Sequence, residues 1–138
     1  VTPDQRTAWL SETRTILDTI EAHPELPLPY ISGDGARFYL ISLWGPAARR
    51  AITAVEEALT GSLGLTFTGA TEGAGTMADY YYVLTAVMPG GLPVEIKAVA
   101  NEVAEQKVTG QTVTEVTEWV RRPAEPPDTP QDSTGGAP

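Results

Sequence analysis

The segment LPVEIKAVA, Leu92 to Ala100, decides how this chain is layered. Val94, Ile96 and Ala98 alternate with Glu95 and Lys97, and a period of two is the spacing of a β-strand with one dry face and one wet face. The segment is therefore read as an amphipathic strand, with Val94, Ile96 and Ala98 turned toward helices and Glu95 and Lys97 toward water. A second reading competes. An acidic residue one position away from a lysine is the core of a Mg²⁺-dependent nuclease motif, in which two carboxylates hold the metal and the lysine steadies developing charge. Asp79, at the start of DYYYVL, would supply the other carboxylate. Asp79, Glu95 and Lys97 follow the order of the PD-(D/E)xK pattern, but no proline precedes Asp79 and no basic helix follows. The catalytic reading requires Asp79 to share a face with Glu95.

Outward from this strand, the neighbouring segments supply its partners. MPGGLP is a turn, and DYYYVLTAV before it is rich in aromatic and β-branched residues that favour strands. LTFTG alternates Leu65 and Phe67 with threonines and reads as another strand, and GATEGAG as a flexible connector. That connector lacks the Gly-Lys-Ser/Thr ending and the following helix that a phosphate loop needs. Further upstream, a short strand beginning at Tyr30 and Ile31 and the strand RFYLISLW flank the turn SGDG and predict a hairpin. The RFYLISLW strand is apolar on both parities, which places it inside the sheet.

Two helices accompany the strands. Pro3 to Ala22 begins with Thr2 as N-cap, Pro3 as first helical residue and Gln5 closing a capping box. Trp9, Ile16, Leu17 and Ile20 form its apolar stripe, and HPELPLP ends it because three prolines cannot continue a helix. The second helix is expected from Pro46 to Thr60, closed by Gly61, with Ala48, Ile52, Val55 and Leu59 buried. Trp9 and Trp44 suit a core between helices and sheet. Of Tyr80, Tyr81 and Tyr82, one or two rings are expected inside.

NEVAEQKV reads equally as strand or helical turn, and TGQTVTEVTEWV as a final strand or hairpin arm. From Pro123 the chain is proline-rich and acidic without core-forming residues, which predicts a disordered tail over 123–138. The order α-β-β-α-β-β-β predicts one α+β domain over 1–122. It is a two-layer sandwich with a mostly antiparallel sheet of about five strands and both helices on one face.

Composition narrows the chemistry. The 138 residues carry a formal charge of −9, with Arg49-Arg50 and Arg121-Arg122 as the adjacent basic pairs. Such a balance disfavours nucleic-acid backbones and anionic membranes, and permits basic partners. No cysteine is present, which removes disulfides, thiolate metal sites and a cysteine nucleophile. The one histidine, His23, sits at a helix end beside Pro24. It reads as a partner for the carbonyl ends there rather than as a catalytic base. No cofactor or metal site is indicated. No apolar run spans a bilayer, and the polar segment VTPDQRTAWL points to the cytoplasm.

The segments LDTIEAHPELPLPYIS, Trp44 to Ala58 and KVTGQTVTEVTEWV resemble a family of small uncharacterised proteins from actinobacterial and actinophage genomes. The resemblance runs from about Ile16 to Val120. It implies a cytoplasmic, mobile-element context and transfers no functional residue. The residues themselves favour a non-enzymatic module that binds a protein partner or itself. The expected contact region is the Thr-rich strand bearing Thr112, Thr114, Glu115, Thr117 and Trp119, where a partner could add a strand.

Overall fold

The computed structural model describes residues 1–111 and 115–124, with side chains described for 1–107 and 117–124. Helix α1 (Pro3–Ala22) starts where its capping box demands. Thr2 Oγ1 accepts from Gln5 N–H while Gln5 Oε1 accepts from Thr2 N–H. Strands β1 (Tyr30–Ser32) and β2 (Gly35–Tyr39) form the expected hairpin. Helix α2 (Gly45–Leu63) follows, then β3 (Thr68–Glu72), a 3₁₀ turn at Gly75–Met77, β4 (Tyr81–Val87) and β5 (Pro93–Val99). A single helical turn, α3 (Ala100–Val103), leads into the hairpin β6 (Ala104–Gln111) and β7 (Glu115–Arg121). NEVAEQKV is thus both readings in succession.

The main sheet has five strands in the order β1-β2-β5-β4-β3, antiparallel except for the parallel pair β2–β5. The fold is α+β. Both long helices lie on one face, where Ile16 and Ile20 of α1 and Ile52, Val55 and Leu59 of α2 meet Phe38, Leu84, Val94 and Ile96. As the alternation in LPVEIKAVA required, Val94, Ile96 and Ala98 enter this core and Glu95 and Lys97 do not. Hairpin β6–β7 forms a separate two-stranded sheet. Arg121 ties it to α2, meeting Glu56 at 2.8 Å and donating to Thr53 Oγ1 at 3.3 Å.

Four expectations change. The first is LTFTG, since Leu65 to Phe67 precede β3 and only Thr68 and Gly69 of that segment are strand. Helix α2 passes through Gly61, brings Leu63 to the core and stops at Gly64, whose φ of +68° is the left-handed cap. Its start is capped from afar, since Trp44 makes no side-chain cap and Glu102 of α3 accepts from Gly45 N–H at 2.6 Å. Strand β2 ends at Tyr39, so Trp44 falls outside the sheet and is 61% exposed rather than in the core. The connector GATEGAG is half strand, because Gly69 through Glu72 pair with β4. The glycine there is needed: a Cβ at Gly69 would stand 2.3 Å from Tyr82 Oη. The proposed tail from Pro123 lies, beyond Ala124, outside the described residues.

Candidate interaction surface

With helices on one face only, odd-numbered residues of β2, β4 and β5 and even-numbered residues of β1 and β3 share the opposite face. The registers place them in rows. One row runs Tyr30, Arg37, Glu95, Thr85, Thr68, and the next runs Tyr39, Lys97, Val83, Ala70. A third holds Val99, Tyr81 and Glu72.

Long side chains lie flat over the middle of this face. Lys97 Nζ crosses β4 to reach Glu72 Oε2 at 2.7 Å and stands 4.9 Å from the centre of the Tyr81 ring. Arg37 Nε meets Glu95 Oε1 at 3.3 Å. Beneath them Val83 and Val99 are only 5% and 6% exposed, although neither belongs to the helix-side core cluster. The aliphatic stems of charged residues can cover apolar neighbours in this way while their heads stay wet. The hydrogen bond to Glu72 holds the Lys97 ammonium above the ordinary lysine range, against a smaller opposing effect of burial.

Aromatic surface gathers at the β1–β2 end. The Tyr30 and Tyr39 rings are 6.3 Å apart, tilted by 43°, and 57% and 47% exposed. Each local cation already has a carboxylate, so the face combines exposed tyrosine with paired charge. On the other side of the sheet Tyr82 is buried, with the Arg121 guanidinium 6.0 Å from its ring centre. Burial raises its phenol pKa, partly offset by Arg121.

The structure separates the residues of the nuclease reading. Glu95 pairs with Thr85 and Lys97 with Val83, while β4 begins only at Tyr81, opposite Val99. Asp79 lies outside β4, with a φ of +57°, and its carboxylate accepts from Thr71 Oγ1 at 2.6 Å, on the helix-side parity of β3. Thr71 pairs with Tyr82, three residues from Thr85, so the carboxylate is about 10 Å along the sheet and two strands away from Glu95. Two ligands of one Mg²⁺ must converge within a few ångströms, and these do not. Among the described residues no group of three or more His, Asp or Glu could hold a metal. His23 caps the end of α1 through its own N–H to Ile20 O, and its ring lies 3.6 Å from Glu25.

The β7 surface is also redrawn. Thr112 and Thr114 lie outside the described residues, and Glu115 is described only by its backbone pairing with Gln111. Thr117 is exposed, but Trp119 is half-buried against the core rather than offered at an edge. Its indole N–H has no partner among the described residues. Tyr30, Arg37 and Tyr39 were not singled out from sequence. The signal was available: once Ala36 and Phe38 are assigned to the helices, Arg37 and Tyr39 must lie on the open face.

A concavity of about 580 Å³ opens between the start of α1 and the β1–β2 and β4–β5 turns, lined by Arg6, Trp9, Gly33, Gly91 and Leu92 among others. Trp9 donates its indole N–H to Ser32 O at 3.0 Å, and Glu12 accepts from the N–H groups of Gly90 and Leu92. These bonds fasten the walls of the cleft to one another.

Fold and surface together define a two-layer α+β sandwich with an open sheet face. None of the protein-family models, curated proteins or solved structures compared with the chain matches it. Among the described residues no helix is long and apolar enough to cross a membrane.

Proposed function

We propose that this chain is a non-enzymatic interaction module that docks a protein partner on the open face of its sheet, through Tyr30 and Tyr39. The supporting observation is the exposed tyrosine pair beside the Arg37–Glu95 ion pair, on a chain of formal charge −9. Protein interfaces are enriched in tyrosine and arginine at their centres and depleted of unpaired charge. Each local cation is already neutralised, so the face offers little to a phosphate backbone, whose binding rests on free lysine and arginine.

The test compares capture from a native host lysate by the wild-type chain and by Tyr30→Glu/Tyr39→Glu, with bound proteins quantified by mass spectrometry. Both rings are exposed, so the variant should keep its circular dichroism and melting temperature. Loss of a tyrosine at an interface centre costs about 2 kcal/mol or more, roughly a thirtyfold drop in affinity. A protein retained by the wild type and lost by the variant supports the reading. Identical captured sets, or retention of nucleic acid alone, would overturn it.

A further inference from the structure

The two edges of the main sheet are built differently. Edge strand β1 has three residues and is preceded by Pro27 and Pro29, which have no N–H to offer a neighbour. Short edges and prolines are among the devices by which proteins stop a sheet from pairing with another chain. Edge strand β3 has five residues, Thr-Gly-Ala-Thr-Glu, with neither proline nor lysine and no register shift against β4. Thr68, Gly69 and Ala70 are exposed, and among the described residues the β3 backbone is reached only from β4, through the ladder and a Thr85 Oγ1 bond to Thr68 O. Its single charge, Glu72, is neutralised by Lys97 at 2.7 Å. The other carboxylate beside this edge, Asp79, accepts from Thr71 Oγ1 at 2.6 Å, so both acids here are already engaged within the chain.

We propose that β3 pairs antiparallel with β3 of a second copy of this chain, about a two-fold axis through Ala70. An antiparallel two-fold stands perpendicular to the sheet and keeps the helices of both copies on the same side. Residues of the same parity must then face one another. Centring on Ala70 satisfies this and uses the whole strand: Ala70 meets Ala70 of the second copy, Gly69 meets Thr71, and Thr68 meets Glu72. A parallel arrangement would set Glu72 beside Glu72 of the second copy, and like charges side by side are destabilising. The product is one continuous ten-stranded sheet. The inference stands apart from the docking role of Tyr30 and Tyr39, which lie at the opposite end of the sheet.

Sedimentation equilibrium on the full chain reads the association directly. The wild type should dimerise with rising concentration, and Tyr30→Glu/Tyr39→Glu should dimerise equally, so failure of this proposal is distinguishable from failure of the docking reading. Ala70→Lys and Ala70→Glu each place two like charges face to face on the axis, and each should weaken self-association at least tenfold. Mixed in equal amounts, the two variants should recover a heterodimer. The chain has no cysteine, so Ala70→Cys introduces a single thiol. Directly opposed residues of an antiparallel pair have Cα atoms about 4.5–5.5 Å apart, within disulfide reach of about 4.4–6.8 Å. Ala70→Cys should oxidise to a covalent dimer, whereas Thr85→Cys, one strand further in, should not. Circular dichroism verifies that each variant is folded, and the cysteine pair carries the test if the charged variants are not. The proposal fails if the wild type stays monomeric to about 1 mM. It also fails if dimers survive both charged substitutions, or if Ala70→Cys crosslinks no faster than Thr85→Cys.

Discussion

Ile96 and Lys97 are neighbours on β5, and they sit in different solvents. Ile96 is wholly buried among helix side chains, while Lys97 lies along the outer face with its ammonium on Glu72. The inner face is held by shape, since close-packed side chains lose contacts whenever volume is removed. The outer face is held by long side chains and paired charges, which tolerate change at little cost to the fold. The difference teaches where selection for binding can act freely: a residue such as Tyr39 can be altered for a partner without unpacking the core.

Three measurements would break or sharpen that contrast. Phe38, 1% exposed on the inner face, should give the largest loss. Phe38→Ala should cost about 3–5 kcal/mol in urea unfolding, because a cavity remains where the ring was. A loss below about 1 kcal/mol would mean that the inner face is not packed as described.

The next effect is alkaline. Lys97 and Tyr82 both have raised pKa values in the fold, the first chiefly through its bond to Glu72 and the second chiefly through burial. A group whose pKa is raised on folding contributes its full stability below its unfolded value, about 10 for tyrosine and 10.4 for lysine, and loses it as pH climbs through the folded value. The urea midpoint should therefore hold up to about pH 10 and fall as pH rises beyond it. Lys97→Met should remove the part of that fall due to the outer face, and Tyr82→Phe the part due to the inner. A midpoint independent of pH above about 10 would contradict both environments.

The smallest effect belongs to the half-exposed pair Arg37–Glu95. Glu95→Gln should change stability by less than about 1 kcal/mol, as expected of a solvated ion pair. A loss as large as that of Phe38→Ala would show that the outer face is structural after all.

Legibility followed the distance over which each feature is determined. Helix α1 could be bounded from sequence because Thr2 and Gln5 cap it within one turn. Helix α2 could not, because its cap is Glu102, 57 residues away, and its end waits for Gly64 rather than Gly61. The wet and dry faces of β5 were readable from alternation alone. Strand β3 was partly hidden in a glycine-rich stretch, since the reason for Gly69 is the Tyr82 hydroxyl on a neighbouring strand. Separation of Asp79 from Glu95 needed the register of β4 against β5, which no residue pattern within either strand specifies. Trp44 and Trp119 exchanged their expected settings for a similar reason. Where β2 stops, and how the last hairpin folds back on α2, are decided by contacts remote in sequence.

The parallel pair β2–β5 also sets a timetable. Ala36 pairs with Val94, and β5 lies between β2 and β4, both of which precede it in the chain. Until Pro93–Val99 has been synthesised, the sheet exists only as two separate hairpins, β1–β2 and β3–β4, with no strand to join them. The β3 edge and the still-unfilled flanks of β2 and β4 are then exposed together on a nascent chain. Vectorial synthesis therefore leaves assembly of the core to one late strand, and the interval before its arrival is when this protein is most open to mispairing.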